Sequence, residues 1–263
     1  MKVWAEGKPG VEKVLEKLRA YGLEICSDDP EIVFPYGGDG TILKIREKYP
    51  KSCLLGIREK SVGYIAEIGG IGQLDSALER IKKGDYEIEE ASMVELLCKK
   101  LRITGLNEVY FERWLEKYDY ATRFRVFIDG KDWYGDELFG NGCMAASAKG
   151  STAYNWSCGR GMLLSSSSKS FIFTPMSSMH LNKRTVAYAQ ETNDSISVAK
   201  PAEQILVPED KEVVVRVTLG ARSRFASDGL VRKFRKLKKG DEITFRKSEE
   251  TARFVKLPRP VLG

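Results

Sequence analysis

The chain has 263 residues, 42% of them hydrophobic and 30% charged, enough to bury a core in one large domain or two moderate ones. Its net charge of +6 suits polyanionic small ligands such as nucleotides and does not by itself indicate nucleic-acid binding. A single histidine, His180, excludes a multi-histidine metal centre, and five widely spaced cysteines without a C-x-x-C pair fit neither a disulfide framework nor a zinc ribbon.

No run approaches the roughly eighteen consecutive apolar residues of a membrane-spanning helix. The first residues, Met1-Lys2-Val3-Trp4-Ala5-Glu6, lack the apolar stretch of a secretory signal. The expectation is a soluble cytoplasmic protein with reduced, mostly buried thiols and with neither membrane nor nucleic acid among its partners.

In chain order, residues 2–5 read as a short apolar strand. A helix over 10–21 follows from the spacing of Val11, Val14, Leu15, Leu18 and Tyr21, with Gly22 placed to end it. Glu31 to Pro35 reads as a second strand. It runs into Gly37-Gly38-Asp39-Gly40-Thr41, after which Ile42, Leu43 and Ile45 open another helix. Cys53 to Ile57 reads as a third strand. A helix over about 72–83 places Leu74, Ala77, Leu78 and Ile81 on one face. Strands alternating with helices imply a parallel sheet with right-handed crossovers.

After Gly84 the pattern changes to short alternating stretches at 94–103, 107–112, 122–129, 184–190, 195–199, 212–219 and 242–247. Asp129-Gly130, Thr192-Asn193-Asp194 and Asp228-Gly229 mark turns between them. The fold class expected is α/β plus β: a Rossmann-like parallel domain over 1–90 and an antiparallel β-rich domain over 91–250. Residues 251–263 are expected to return to the first domain. The basic run from Arg232 to Lys239 reads as a solvated strand or turn face, and Ser165 to Ser168 as a mobile surface loop.

The glycine pentapeptide between a strand and a helix carries the chemistry. Glycines there let the backbone approach a phosphate, and the helix N-terminus offers free N–H groups and a positive dipole end. An acid at this place repels phosphates, so Asp39 makes sense as a Mg²⁺ ligand or as the acceptor of a proton from an attacking hydroxyl.

Gly-Gly-Asp-Gly-Thr after a strand resembles the nucleotide loop shared by NAD kinases, diacylglycerol and sphingosine kinases and, more loosely, phosphofructokinases. In the lipid kinases an Asn-Glu pair follows almost at once. Here Asn107-Glu108 lies far downstream, as in NAD kinases. Gly150-Ser151-Thr152-Ala153-Tyr154-Asn155 is similar to that family's Gly-Ser/Thr-Thr-Ala-Tyr segment. Thr174-Pro175 with Leu181 and Arg184 keeps the spacing of its Thr-Pro stretch, and Asp228-Gly229 matches its late Asp-Gly. The five elements, in order from 37 to 229, resemble an NAD kinase in a short form similar to archaeal members.

The resemblance implies transfer of a phosphoryl group from ATP or polyphosphate, with Mg²⁺ or another divalent cation, to the 2′-hydroxyl of the adenosine ribose of NAD, giving NADP. Asp39 resembles the family's proposed base. Gly37, Gly38, Gly40, Thr41 and Lys44 are the expected phosphate contacts. Asn107, Glu108, Asn141, Lys149, Ser151, Thr152, Ala153 and Tyr154 are the expected NAD contacts, with NAD seated between the two domains. No protein side-chain metal cage is expected, and the resemblance implies a homodimer or homotetramer.

The sequence also departs from the family pattern. Gly56-Ile57-Arg58-Glu59-Lys60 stands where many members have Gly-Ile-Asn-x-Gly. Asn141-Gly142 replaces Asp-Gly, Lys149 replaces Ser or Thr, and His180 is displaced by one position. Two rival readings follow: a non-catalytic NAD(P)-binding paralogue, and a lipid or small-molecule kinase sharing the loop. The distance between Asp39 and Asn107-Glu108 argues against the second, and retention of Asp39 against the first.

Overall fold

The structure is a computed structural model, and it describes residues 1–59, 63–114, 120–159, 161–188 and 195–258. The Thr192-Asn193-Asp194 turn, Lys60 and the last five residues lie outside the described residues. The chain divides into two compact units: Met1–Ala91 with Thr251–Gly263, and Ser92–Glu250.

The first unit contains β1 (Lys2–Gly7), α1 (Val11–Ala20), β2 (Glu24–Ile25), β3 (Ile32–Tyr36), α2 (Asp39–Lys48), β4 (Cys53–Leu54) and α3 (Leu74–Lys82). Its strands pair in parallel in the order β2, β1, β3, β4, and Arg253 and Phe254 near the chain end pair in parallel beyond β4. Both faces of such a sheet are covered, so its strands read as apolar runs rather than as alternations. Val3, Ile32, Phe34, Leu55 and Ile57 pack with Val14 and Leu18 of α1 and with Leu74, Leu78 and Ile81 of α3. The helix that the sequence places from Ile42 begins at Asp39, so the acid occupies the first helical position rather than the loop.

The second unit carries the remaining strands. They begin with β5 (Glu87–Cys98, entering from the first unit), β6 (Leu101–Gly105), β7 (Glu108–Arg113), β8 (Thr122–Ile128), β9 (Lys131–Asp132), β10 (Leu138–Gly140) and β11 (Gly142–Ala146). After α4 (Tyr154–Gly159) come β12 (Phe171–Met176), β13 (Met179–Tyr188), β14 (Ser195–Pro201), β15 (Ile205–Val207) and β16 (Glu212–Leu219). Then follow β17 (Arg222–Ser227), β18 (Leu230–Lys236) and β19 (Glu242–Lys256).

One sheet of this unit runs β14, β13, β10, β8, β16 and the first residues of β19; the other runs β15, β12, β11, β7, β17, β18. Every pair along both orders is antiparallel. Phe111, Phe124, Phe171, Phe173, Phe225 and Phe245 form the aromatic centre of their common core.

Two differences from the sequence reading have clear causes. The stretch 94–103 is not one strand but a hairpin, turned at Lys99 and Lys100 with Lys99 at φ 55°. Without Gly, Asn or Asp, that turn carries no sequence signal. The strands β11 and β12 are buried at every position and so show no alternation. Sequence periodicity passes over both.

Candidate nucleotide and phosphate sites

In the first unit, two adjacent parallel strands each end in a glycine turn leading to a helix, β1 through Gly7-Lys8-Pro9-Gly10 and β3 through Gly37-Gly38. Anionic ligands of open α/β sheets gather at this carboxyl end of the strands. Gly37 has φ 153°, and a Cβ there would stand 2.5 Å from the Thr41 hydroxyl oxygen. Only glycine lets the chain fold back this tightly onto the first turn of α2. No side chain caps α2 at Gly38, and Gly40 faces open space. The start of the helix is therefore available to an anion.

A depression of about 580 Å³ lies over this helix start, lined by Glu6, Lys8, Gly38, Gly40, Thr41 and Lys44 among others. Of the phosphate contacts expected from the sequence, Gly38, Gly40, Thr41 and Lys44 line it, and Gly37 packs against Thr41 beside it. Lys8 was not among them. Its signal was present in the first glycine turn, which follows a strand just as the second does.

The half-buried Asp39 turns away from its own helix. Its Oδ2 accepts the N–H of Tyr64 at 3.0 Å and its Oδ1 that of Ile65 at 3.2 Å. Each carboxylate oxygen has a second lone pair in hand, so the group still accepts a proton. Glu6, the acid that lines the depression, is engaged by Lys48 at 2.7 Å, Tyr49 at 3.1 Å and Trp4 at 3.3 Å.

The second unit builds its polar cluster around the first residue of β7. In register, Glu108 stands opposite Ala146 of β11, and Val109 opposite Ser227 of β17. Strand pairing thereby delivers Ser147 from one side and Asp228 from the other. Asp228, at φ 50°, accepts the N–H groups of Leu106 at 2.9 Å, Asn107 at 2.8 Å and Glu108 at 3.3 Å. The Ser147 hydroxyl donates to the Leu106 carbonyl, and its N–H donates to that of Asn107 at 2.9 Å. Gly150 packs so closely that a Cβ would fall 1.9 Å from the Asn107 carbonyl oxygen.

This framework leaves two side-chain oxygens buried without hydrogen-bond partners among the described residues. Asn107 Oδ1 and Glu108 Oε2 accept nothing. Burial, then the neighbouring charge of Asp228, pushes the Glu108 carboxyl up to about 8. Buried polar groups of this kind are costly, and a ligand's hydroxyl or amino group relieves them.

Lys149, Gly150, Ser151 and Thr152 form a short 3₁₀ turn directly above. The Ser151 hydroxyl is buried, donating to Ala148 and accepting from Leu164, so it supports the turn from within. Thr152 and Tyr154 are exposed and Ala153 is partly so. The Tyr154 ring meets Tyr110 edge-on at 5.5 Å. Asn141 stands apart, since the length of β11 separates it from Ser147. Its N–H donates to Met176 at 3.0 Å and its carbonyl accepts from Arg113 at 2.7 Å.

Three further polar residues join nearby. Asn155 Oδ1 accepts from the Thr174 hydroxyl at 2.6 Å and from Gln204 Nε2 at 3.2 Å. Thr174 and Gln204 line a second depression of about 590 Å³. The sequence reading matched Thr174 but had no signal for Gln204, a lone amide brought in by β15. His180 is buried, 3.5 Å from Asp136 and edge-on to Tyr134. Among the described residues no group of three or more His, Cys, Asp or Glu side chains is placed to hold a metal ion, and no helix is long and apolar enough to cross a membrane.

No protein-family model matches the chain. It is 30% identical to the NAD kinase of Clostridium kluyveri over 200 residues, which cover 73% of this chain and 68% of that protein. It is 28% identical to the NAD kinase of Methanothermobacter thermautotrophicus over 250 residues, covering 93% and 78%. Among solved structures, yeast NADH kinase complexed with NADH superposes with a TM-score of 0.76 at 16% identity, covering 98% of this chain and 84% of that one. The NAD kinase of Archaeoglobus fulgidus in complex with ATP gives 0.73 at 21% identity, covering 97% and 93%. At these identities the two structures speak to the fold.

Proposed function

The chain belongs to the NAD kinase family, and from that premise we propose that it phosphorylates the 2′-hydroxyl of the adenosine ribose of NAD, giving NADP, with ATP as donor and Asp39 as base. The observation that carries the role of Asp39 is its setting. Its carboxylate stands at the head of an uncapped helix, held by the Tyr64 and Ile65 N–H groups, and its chain neighbours Gly38 and Gly40 line the depression of about 580 Å³.

Phosphoryl transfer needs positioning and charge neutralisation more than covalent help. The N–H groups at Gly38 and Gly40, the Thr41 hydroxyl, Lys8 and Lys44 supply the donors and cations for the donor's phosphates. Asp39 takes the proton of the 2′-hydroxyl as that oxygen attacks the terminal phosphorus and the bond to the leaving phosphate breaks. Mg²⁺ would be held mainly by the donor's phosphates and waters, with one or two carboxylates. When bound, the ion neutralises phosphate charge. Polyphosphate presents the same groups and is the alternative donor.

Asn107 and Glu108, with their unpartnered oxygens, are assigned to hydroxyl and amino groups of NAD. Thr152, Ala153 and Tyr154 are assigned to its adenosine half, over the support of Ser151. Lys149 and Asn141 are assigned to the more distant parts of the dinucleotide. A homo-oligomer and a cytoplasmic location complete the reading, the latter in keeping with five cysteines that are all free.

The test is NADP formation from NAD with Mg²⁺ and either ATP or polyphosphate, comparing wild type with Asp39→Asn. Product from the wild type and loss of most of the rate in the variant are expected. Binding of NAD without product from any donor refutes the kinase and leaves a nucleotide-binding paralogue.

A further inference from the structure

Arg58 stands one residue beyond the bridge that Ile57 makes with Tyr36. Its Nη2 donates to the carbonyl oxygen of Gly63 at 2.6 Å. That carbonyl belongs to the same peptide unit as the Tyr64 N–H, which donates to Asp39 at 3.0 Å. A trans peptide is planar and fixes its C=O and N–H in opposite directions. Gripping the oxygen therefore aims the N–H. Hydrogen bonds at both ends of one peptide also polarise each other.

The local packing agrees. A Cβ placed on Gly63 would lie 2.8 Å from Asp39 Oδ1 and 3.9 Å from Arg58 Nε. The guanidinium and the carboxylate thus converge on a residue with no side chain to separate them. Arg58 Nε is itself buried without a partner. Leaving such a donor unsatisfied costs stability, so the arginine is held in this pose against a local penalty.

An acid at the first position of a helix is otherwise drawn to the free N–H groups of its own first turn. Held outward by Tyr64 and Ile65, Asp39 leaves those N–H groups open to a phosphate. We propose that Arg58 is a positioning residue for Asp39, acting through the Gly63–Tyr64 peptide; this rests on the reading of Asp39 as the base. Arginine supplies a long side chain with a permanent charge, which braces the peptide carrying one of the carboxylate's two donors.

The experiment measures kcat, the KM values for NAD and ATP, and Tm for Arg58→Met, Arg58→Lys and Arg58→Leu, with Arg58→Met also made in the Asp39→Asn background. Arg58→Met is expected to lower kcat about 10- to 100-fold while both KM values stay within about twofold. Arg58→Lys, which can still donate to the Gly63 carbonyl, is expected to recover part of that loss. In Asp39→Asn, Arg58→Met is expected to change the residual rate by less than about twofold.

Three results overturn the proposal. They are an unchanged kcat, a raised KM for ATP with kcat kept, and an equal loss whether or not Asp39 is intact. If Arg58→Met does not fold, Arg58→Leu, which also removes the donor, takes its place. A wild type that makes no NADP defeats the kinase reading itself. An active wild type that depends on Asp39 but ignores Arg58 defeats only this proposal.

Discussion

Asp228 holds Asn107: its Oδ1 accepts the Asn107 N–H at 2.8 Å, while Oδ2 takes that of Leu106 at 2.9 Å. The late Asp-Gly turn is therefore part of the frame under Asn107 and Glu108. Asp228→Ala removes charge-assisted bonds to buried backbone and places alanine at φ 50°, at an expected cost of about 2–4 kcal/mol. Its kinetic mark is expected to be a KM for NAD raised by about tenfold with the KM for ATP kept, because the frame lies under the two residues proposed to bind NAD. Asp228→Asn keeps an acceptor and tolerates the positive φ, so it falls between. Urea midpoints and two-substrate kinetics check both.

Glu108 sets a pH dependence of opposite sign to that of most carboxylates. Its folded value, about 8, lies above the ordinary 4.5, so the folded state binds its proton more tightly than the unfolded chain does. The stabilisation is fully present below about pH 4.5 and is lost as pH rises toward 8, with a size on the order of a few kcal/mol. The wild type is expected to lose Tm between pH 5 and 8 relative to Glu108→Gln, which carries no proton to lose. Parallel melting curves across that range decide it; equal slopes sink the assignment.

Asp136 and His180 act at the acid end. Burial pushes the Asp136 carboxyl up, but hydrogen bonds from the Asn182 backbone and side chain and from the Lys183 and Glu137 N–H groups outweigh it and bring the value to about 2. Burial, then the Lys183 charge, lowers His180, which favours its neutral form in the folded state. Both contributions are present at neutral pH. That of His180 is lost as pH falls below its ordinary 6.5, and that of Asp136 between its ordinary 3.8 and about 2. Asp136→Asn is expected to flatten the lowest part of the acid unfolding curve and His180→Gln the part nearer pH 6.

Much of this architecture was legible in the sequence because its signals are local. The strand–glycine–helix passage at 31–45 needs only apolar runs and a turn. The helix faces at 11–20 and 74–82 repeat at helical spacing. The overall class, parallel α/β followed by antiparallel β, comes from that change of grammar after Gly84. The cluster at Glu108 is different in kind. Asn107, Ser147, Gly150 and Asp228 are neighbours only through the registers of β7 with β11 and β17. Register between distant strands has no local signature, and the strand that sets it, β11, is buried throughout and shows no period. Only the resemblance pointed there. Gln204 escaped even that.

Gly150 tests how tightly this register is held. An alanine Cβ would meet the Asn107 carbonyl oxygen at 1.9 Å and its carbonyl carbon at 2.4 Å, both backbone atoms that cannot swing aside. Gly150→Ala is expected to destabilise by about 3 kcal/mol or more and to abolish NAD binding before ATP binding. Gly40→Ala, facing open space, is the control and should fold normally. Thermal melts with each nucleotide separate the two effects.

The two cations beside the phosphate depression give the last test. Lys8 and Lys44 both line it, from the glycine turn after β1 and from the first turns of α2. Lys8 lies 3.9 Å from Glu59, a loose exposed pair that does little to withhold it from a ligand. Each ammonium is a point charge toward a polyphosphate rather than a geometric clamp. Lys8→Met and Lys44→Met are therefore each expected to raise the KM for ATP by about 5- to 20-fold with little change in the KM for NAD. Because they approach from separate elements, their effects are expected to multiply in the double variant. The loss should shrink as salt rises, since these charges are exposed and screened. A Lys8→Met variant with unchanged ATP kinetics at low salt would remove the first glycine turn from the donor site and leave the phosphates to α2 alone.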